Sequence, residues 1–177
     1  MIKLIIGTTD SGKSALAEET AMRLSGAGTR IYIATMIPFG DEGMARVARH
    51  RQMREGKGFI TIEQPVDIDD LVPGLAGYSD PTCLLECMSN LVGNEMHDPG
   101  HQEDSDSELT VHIIGSVMKL ASVCRHLIIV SNEFDDQAGD YDDDTLRYIR
   151  LCHMVNESLS IRVDEVIHME NSANEDT

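Results

Sequence analysis

Positive charge is scarce in this 177-residue chain: 14 lysines and arginines stand against 31 aspartates and glutamates, a formal net charge of −17. Phosphate backbones and anionic bilayers are held by basic stripes, so the molecule as a whole is unsuited to nucleic acid or to a membrane surface. Long apolar runs are missing too. None approaches the roughly 20 residues needed to span a bilayer, and the opening MIKLIIG runs straight into a glycine loop without a long apolar leader or cleavage site. A soluble, cytoplasmic protein without membrane insertion is expected. The four cysteines, Cys83, Cys87, Cys124 and Cys152, form no C-x-x-C pair, which removes the zinc knuckle and the dithiol redox motif. Cys83 and Cys87, in the run TCLLECM, read as small buried hydrophobes. No internal repeat is present.

What is present is the composition of a globular domain, 41% hydrophobic and 25% charged. A chain of this length buries about two-thirds of its unfolded surface and folds without staples. Short β-branched runs (KLII, IYIAT, FITIE, TCLLECM, HLIIV, DEVIHM) alternate with helix-period segments (SALAEETAMRL, EGMARVARHRQMR, LTVHIIGSVMKLASVC, LRYIRLCHMVNESLS). That alternation predicts a single α/β domain over residues 1–170, with a mostly parallel central sheet flanked by helices, and a frayed tail at 171–177. Gly115 weakens the case for an unbroken helix in the third segment. Two acidic stretches, His97 to Glu108 and Asp135 to Asp144, read as solvated loops. The Asp140, Asp142, Asp144 spacing lacks the glycine and terminal glutamate of a calcium loop.

The segment Gly7, Thr8, Thr9, Asp10, Ser11, Gly12, Lys13, Ser14 fits G-x-x-x-x-G-K-[ST] between a strand-like run and a helical pattern, the context a phosphate-binding loop requires. The pattern arises by chance in roughly one chain of this length in a hundred. Its two outer glycines let the backbone N–H groups turn toward phosphate oxygens, Lys13 supplies a charge between the β- and γ-phosphates, and Ser14 is placed for Mg²⁺. Asp10 must point outward, since a carboxylate beside phosphates repels them. Glu86, closing the apolar run CLLE, is the second acid expected near the metal.

The one basic patch holds Arg46, Arg49, Arg51, Arg54 and Lys57, with His50 in its middle. On a helix Arg46, His50 and Arg54 share a face, so two guanidinium groups would clamp phosphates brought to the imidazole. The competing reading is a solvated helix face. His97 and His101 are four apart, but Pro99 and Gly100 between them break the helix that a metal pair would need. His112, His126, His153 and His168 each occur singly and read as structural.

Together the P-loop, YIAT at Tyr32 to Thr35, DEGMARVARHR from Asp41 to Arg51, TIE at Thr61 to Glu63, LLECMSNLV at Leu84 to Val92 and VSNE at Val130 to Glu133 resemble the bifunctional adenosylcobinamide kinase and adenosylcobinamide-phosphate guanylyltransferase family. The resemblance implies a RecA-like P-loop fold, a trimer and a place in cobalamin assembly. It implies two reactions using ATP or GTP with Mg²⁺: phosphorylation of adenosylcobinamide, then transfer of GMP from GTP through a guanylyl-histidine, for which His50 is the matching residue. Carried over, Gly7 to Ser14 hold phosphates with Lys13 catalytic, Ala34, Thr35 and Met36 lie beside the nucleotide, and Arg51, Gln52, Met53 and Arg54 flank the guanylylated site. Glu63 and Glu86 contact nucleotide or metal. Two departures stand out. The family's glycine-rich G-x-G-I-V-P stretch is replaced by FDDQAGDYDDD at Phe134 to Asp144, and Thr8, Thr9 and Asp10 stand where small or basic residues are usual. A member with only one of the two activities, or a GTP-binding regulatory protein, is the alternative.

Overall fold

The computed structural model describes residues 1–134 and 139–170. Residues 135–138 of the second acidic stretch and the tail expected at 171–177 lie outside the described residues. Six strands, β1 (Ile2–Gly7), β2 (Arg30–Ala34), β3 (Phe59–Glu63), β4 (Thr82–Glu86), β5 (His126–Asn132) and β6 (Glu165–Met169), form one sheet in the order β3-β2-β4-β5-β1-β6. All of its pairings are parallel, so the expected mostly parallel sheet is wholly so among the described residues. Parallel strands need crossovers, supplied by α1 (Lys13–Ser25), α2 (Gly40–Arg54), α3 (Val72–Leu75), α4 (Met88–Met96), α5 (Asp106–Val123) and α6 (Asp143–Ser160).

The strands are apolar on both faces because both are covered. On one face Ile5, Tyr32, Leu84, Ile128 and Val130 meet Ala17 and Ala21 of α1, whose small side chains let the helix lie close. On the other, Leu4, Ile33, Leu85 and Ile129 meet Met88 and Leu91 of α4, Ile113 and Val117 of α5, and Leu151 and Val155 of α6. Helix α2 stands apart: of its fifteen residues only Gly43 and Arg54 are buried. Such a helix, with little apolar contact, belongs to the low-stability end of the structure.

Both acidic stretches are only partly loops. Asp98 caps a 3₁₀ turn at Pro99–His101, and Ser105 with Glu108 forms a reciprocal capping box that starts α5. Asp142 caps α6, whose first turn holds Asp143 and Asp144. Acids at helix starts satisfy orphan N–H groups and oppose the positive end of the helix dipole, which is why so polar a sequence continues into helix. Gly115 leaves α5 unbroken, with nothing within 4 Å of an added Cβ.

Candidate functional site

In a parallel sheet the chain leaves every strand at the same edge, and here β1, β2, β4 and β5 deliver their next residues to one cleft of about 240 Å³. The turn after β1 is built as the P-loop pattern requires. Gly12 takes a left-handed φ of 83° as the residue capping α1, and Gly7 lies so close to β6 that an added Cβ would come within 2.5 Å of the Met169 carbonyl oxygen. Asp10 is exposed, with a left-handed φ of 63°, and its charge still acts on Lys13. The N–H groups of the first turn of α1 have no intrahelical acceptor and form an anion-binding end.

Lys13 is buried and its Nζ donates to the Thr8 carbonyl at 2.7 Å. Burial lowers its pKa, and Arg46 adds to this, against the opposing pull of Cys87, Glu86 and Asp10. The Ser14 hydroxyl donates to Glu86 Oε1, which joins the first helix to the end of β4. The other oxygen of Glu86 is buried without a partner, and the peptide that follows it, Glu86–Cys87, is cis.

Helix α2 closes the cleft. Arg46, His50 and Arg54 all line it, as their i, i+4, i+8 spacing predicts. His50 Nδ1 is buried, has no hydrogen-bond partner and lies 3.8 Å from Glu86 Oε1, too far for a hydrogen bond. The Arg54 guanidinium lies 3.4 Å above the centre of the Tyr32 ring. It is buried, with Nε and Nη1 unpartnered. Burial, with Glu86 next, pushes the Tyr32 phenol well above its usual range. Unpaired guanidinium nitrogens removed from water are costly unless an anion completes them.

The remaining sequence-derived residues divide. Ala34, Met36, Arg51 and Glu63 line the cleft, and Arg51 Nη2 bonds Glu63 Oε1 at 2.6 Å as an exposed pair on its rim. Thr35 is fully buried and braces the site instead: its Oγ1 accepts from the Cys87 N–H and donates to the Cys87 carbonyl, each at 2.8 Å. Gln52 lies outside the cleft, in an adjoining shallow hollow at the C-terminal end of α2, and Met53 is 40% exposed. Lys57, counted in the basic patch, is drawn away to the fully buried Glu18 of α1, and Arg49 is exposed. His97 and His101 do not meet: His97 Nε2 bonds Asp144 at 3.0 Å, while His101 turns back toward Asp104 and Glu95.

Tyr32, Asn90 and Asn132 also line the cleft and escaped the sequence reading. Their signal lay in the motifs YIAT, LLECMSNLV and VSNE, which carry the family resemblance without assigning these three a role. Across the missing glycine-rich stretch, Phe134 packs on Tyr148 with ring centres 5.5 Å apart.

Comparison with known proteins adds one decisive match, to the family described as cobinamide kinase / cobinamide phosphate guanyltransferase, over residues 3–173. The chain belongs to this family. Membership makes it a nucleotide-dependent transferase of cobalamin biosynthesis, with cobinamide and nucleotide substrates. Among solved structures the ATPase domain of G40P superposes with a TM-score of 0.58 at 11% identity, covering 94% of this chain and 68% of that one. At that identity the likeness speaks to fold alone, and the fold is RecA-like. No curated protein matches significantly. No helix among the described residues is long and apolar enough to cross a membrane.

Proposed function

We propose that the protein carries out both family reactions, phosphorylating adenosylcobinamide and then transferring GMP from GTP to the product through a guanylyl-His50 intermediate. The observation that carries this reading is the facing arrangement of Lys13 and Ser14 with His50 and Arg54 across one cleft, the latter pair holding buried nitrogens without partners. A regulatory GTP binder has no need of an unpartnered imidazole beside a carboxylate.

In the guanylyl step an imidazole nitrogen of His50 attacks the α-phosphorus of GTP, a P–N bond forms, and the P–O bond to pyrophosphate breaks. The ring gains positive charge, which the Glu86 carboxylate 3.8 Å away favours. Arg54 and Arg46 bear on the negative charge of the reacting phosphates. A phosphate oxygen of adenosylcobinamide phosphate then attacks the same phosphorus, the P–N bond breaks, and His50 returns to its starting state. In the kinase step Lys13 and the N–H groups at the start of α1 hold the triphosphate while the acceptor hydroxyl oxygen bonds to the γ-phosphorus, the P–O bond to the departing nucleoside diphosphate breaks, and the hydroxyl proton is released to solvent.

Ser14 Oγ and Glu86 are hard oxygen donors, and the unpartnered Glu86 oxygen fits a Mg²⁺ site. When bound, Mg²⁺ would neutralise charge on the polyphosphate. The corrinoid acceptor is assigned to the apolar mouth of the cleft, where Met36, Pro38 and Met44 line it and Ile37 and Phe39, on either side of Pro38 in the chain, are 59% and 92% exposed. Apolar surface gathered beside a polar cleft, unlike scattered exposed side chains, marks a ligand-binding or interaction site. A homotrimer, as the family resemblance implies, completes the proposal.

The test is incubation with Mg²⁺ and GTP labelled at the α-phosphate, followed by denaturation. Acid-labile, base-stable label on the wild type and none on His50→Ala, with GTP binding retained in both, is expected. Label that survives in His50→Ala removes His50 as the nucleophile.

A further inference from the structure

Outside the cleft, on the α5 side of the sheet, four side chains from four separate segments converge: Asp67 after β3, Glu95 near the end of α4, His101 in the 3₁₀ turn, and His112 in α5. One ligand-type atom from each lies within 4.8 Å of all the others. We propose that these residues form a tetrahedral Zn²⁺ site.

The separations favour a shared cation over direct pairing. His112 Nε2 lies 3.5 Å from Asp67 Oδ1 and 3.7 Å from Glu95 Oε2, and His101 Nε2 lies 3.5 Å from the same Glu95 oxygen. Charge-assisted hydrogen bonds would draw these atoms to about 2.7–2.9 Å. Ligands around a tetrahedral ion with bonds near 2.1 Å stand about 3.4 Å from one another.

The orphaned atoms point the same way. Glu95 is fully buried; its Oε1 accepts the Asp67 N–H at 2.8 Å, while Oε2 faces the cluster with no partner. His112 Nε2 is likewise buried and unpartnered. A carboxylate this deep requires either a proton or a cation. His101 Nδ1 stands 2.7 Å from Asp104. With Asp104 accepting from Nδ1, Nε2 is the nitrogen turned toward Glu95, the orientation that a second carboxylate gives to metal-binding histidines. Two imidazoles and two carboxylates suit zinc, and four protein ligands leave no open position, so the site is structural rather than catalytic. Asp67, with its side chain 46% exposed, is the side from which the ion enters.

The consequence reaches the nucleotide cleft. Asn94, the neighbour of Glu95, donates to the carbonyls of Thr35 at 2.7 Å and Pro65 at 2.9 Å. An ion that fixes the end of α4 against residue 67 therefore also fixes the loops after β2 and β3.

The experiment is metal analysis and calorimetric titration of the intact protein with Zn²⁺ after chelator treatment and dialysis, with Co²⁺ as an optical probe. One equivalent is expected to bind, with Co²⁺ bands of four-coordinate intensity. The melting temperature is expected to rise about 5–10 °C at a hundredfold excess over Kd. Glu95→Gln keeps the shape and the acceptor for the Asp67 N–H, so it is expected to melt no lower than the metal-free wild type yet to lose the zinc-induced rise. His112→Gln is expected to lose the rise as well. Absence of stoichiometric binding to the wild type, six-coordinate Co²⁺ spectra, or binding unchanged in both variants would overturn the assignment.

Discussion

Replacing Lys57 by methionine separates two roles that a basic residue at this position could have, phosphate binding and internal pairing. In the structure its ammonium meets Glu18, which is fully buried, and the second Glu18 oxygen has no hydrogen bond. Methionine keeps the aliphatic stem and leaves the carboxylate stranded. Stranding one partner of a buried pair costs about 3–5 kcal/mol. The variant has an escape, however, because it can bury the neutral acid. For an ordinary glutamate, protonation at pH 7 costs about 3.7 kcal/mol, falling by about 1.4 kcal/mol per pH unit to about 1 kcal/mol at pH 5.

The expected loss is therefore about 2–4 kcal/mol at pH 7, seen in urea unfolding or as a fall in melting temperature of about 5–15 °C. It should shrink to about 1 kcal/mol at pH 5, because an acid buried without its cation is tolerated better as pH falls toward the unfolded-state value. Adding Glu18→Gln should restore most of the loss at pH 7. GTP labelling of the folded fraction should be unchanged. A loss below 1 kcal/mol at pH 7, or one that stays constant to pH 5, would refute the reasoning.

Arg54→Leu should show opposite signs in two assays: unfolding free energy unchanged or raised, since an unpaired buried guanidinium is removed, and GTP affinity by calorimetry reduced roughly 10- to 100-fold through loss of a charge-assisted contact. Intact GTP affinity in a destabilised variant would make Arg54 structural. Thr35→Val should cost about 1–3 kcal/mol by leaving the buried Cys87 N–H without its partner, the Cys87 carbonyl still accepting from the Leu91 N–H, whereas Thr35→Ser should cost less; a neutral valine would show that the bracing is unimportant. His97 is held protonated above its ordinary range, first by the Gly93 carbonyl and then by Asp144. Its folded-state pKa is raised, so its contribution is full below about pH 6.5 and is lost as pH rises through the folded value. The stability difference between wild type and Asp144→Asn should follow that course, and should stay below about 1 kcal/mol for so exposed a pair. A difference that grows with pH would reverse the assignment.

The sequence made the strand and helix alternation, the P-loop and the shared face of Arg46, His50 and Arg54 legible because each is local: a period or a fixed spacing within one element. Glu86 was legible too, as a charge at the end of an apolar strand. Thr35 and Gln52 were harder, since carrying contiguous blocks across a resemblance ignores which side of an element each residue occupies. Lys57 belonged to the basic patch by position, and only the fold shows Glu18 drawing it away. The Asp67, Glu95, His101 and His112 cluster was hidden for the same reason. Its members come from four segments, and the Pro99–Gly100 turn that parts His101 from His97 is what carries it toward α5. The acidic stretches misled because composition records solvation but not capping.

The close fit of Gly7 beneath the Met169 carbonyl has a consequence for how the molecule is made. Strand β1, which leads into the nucleotide loop, lies between β5 and β6. Those neighbours begin only at His126 and Glu165, so a growing chain holds β1 without either of them until those distant segments have been made. Such long-range parallel pairing is slow and leaves a strand edge exposed meanwhile. The phosphate loop is made before both strands that flank its own and is completed only after them. A nucleotide can reward completed folding, but it has no formed cradle in which to template the early stages.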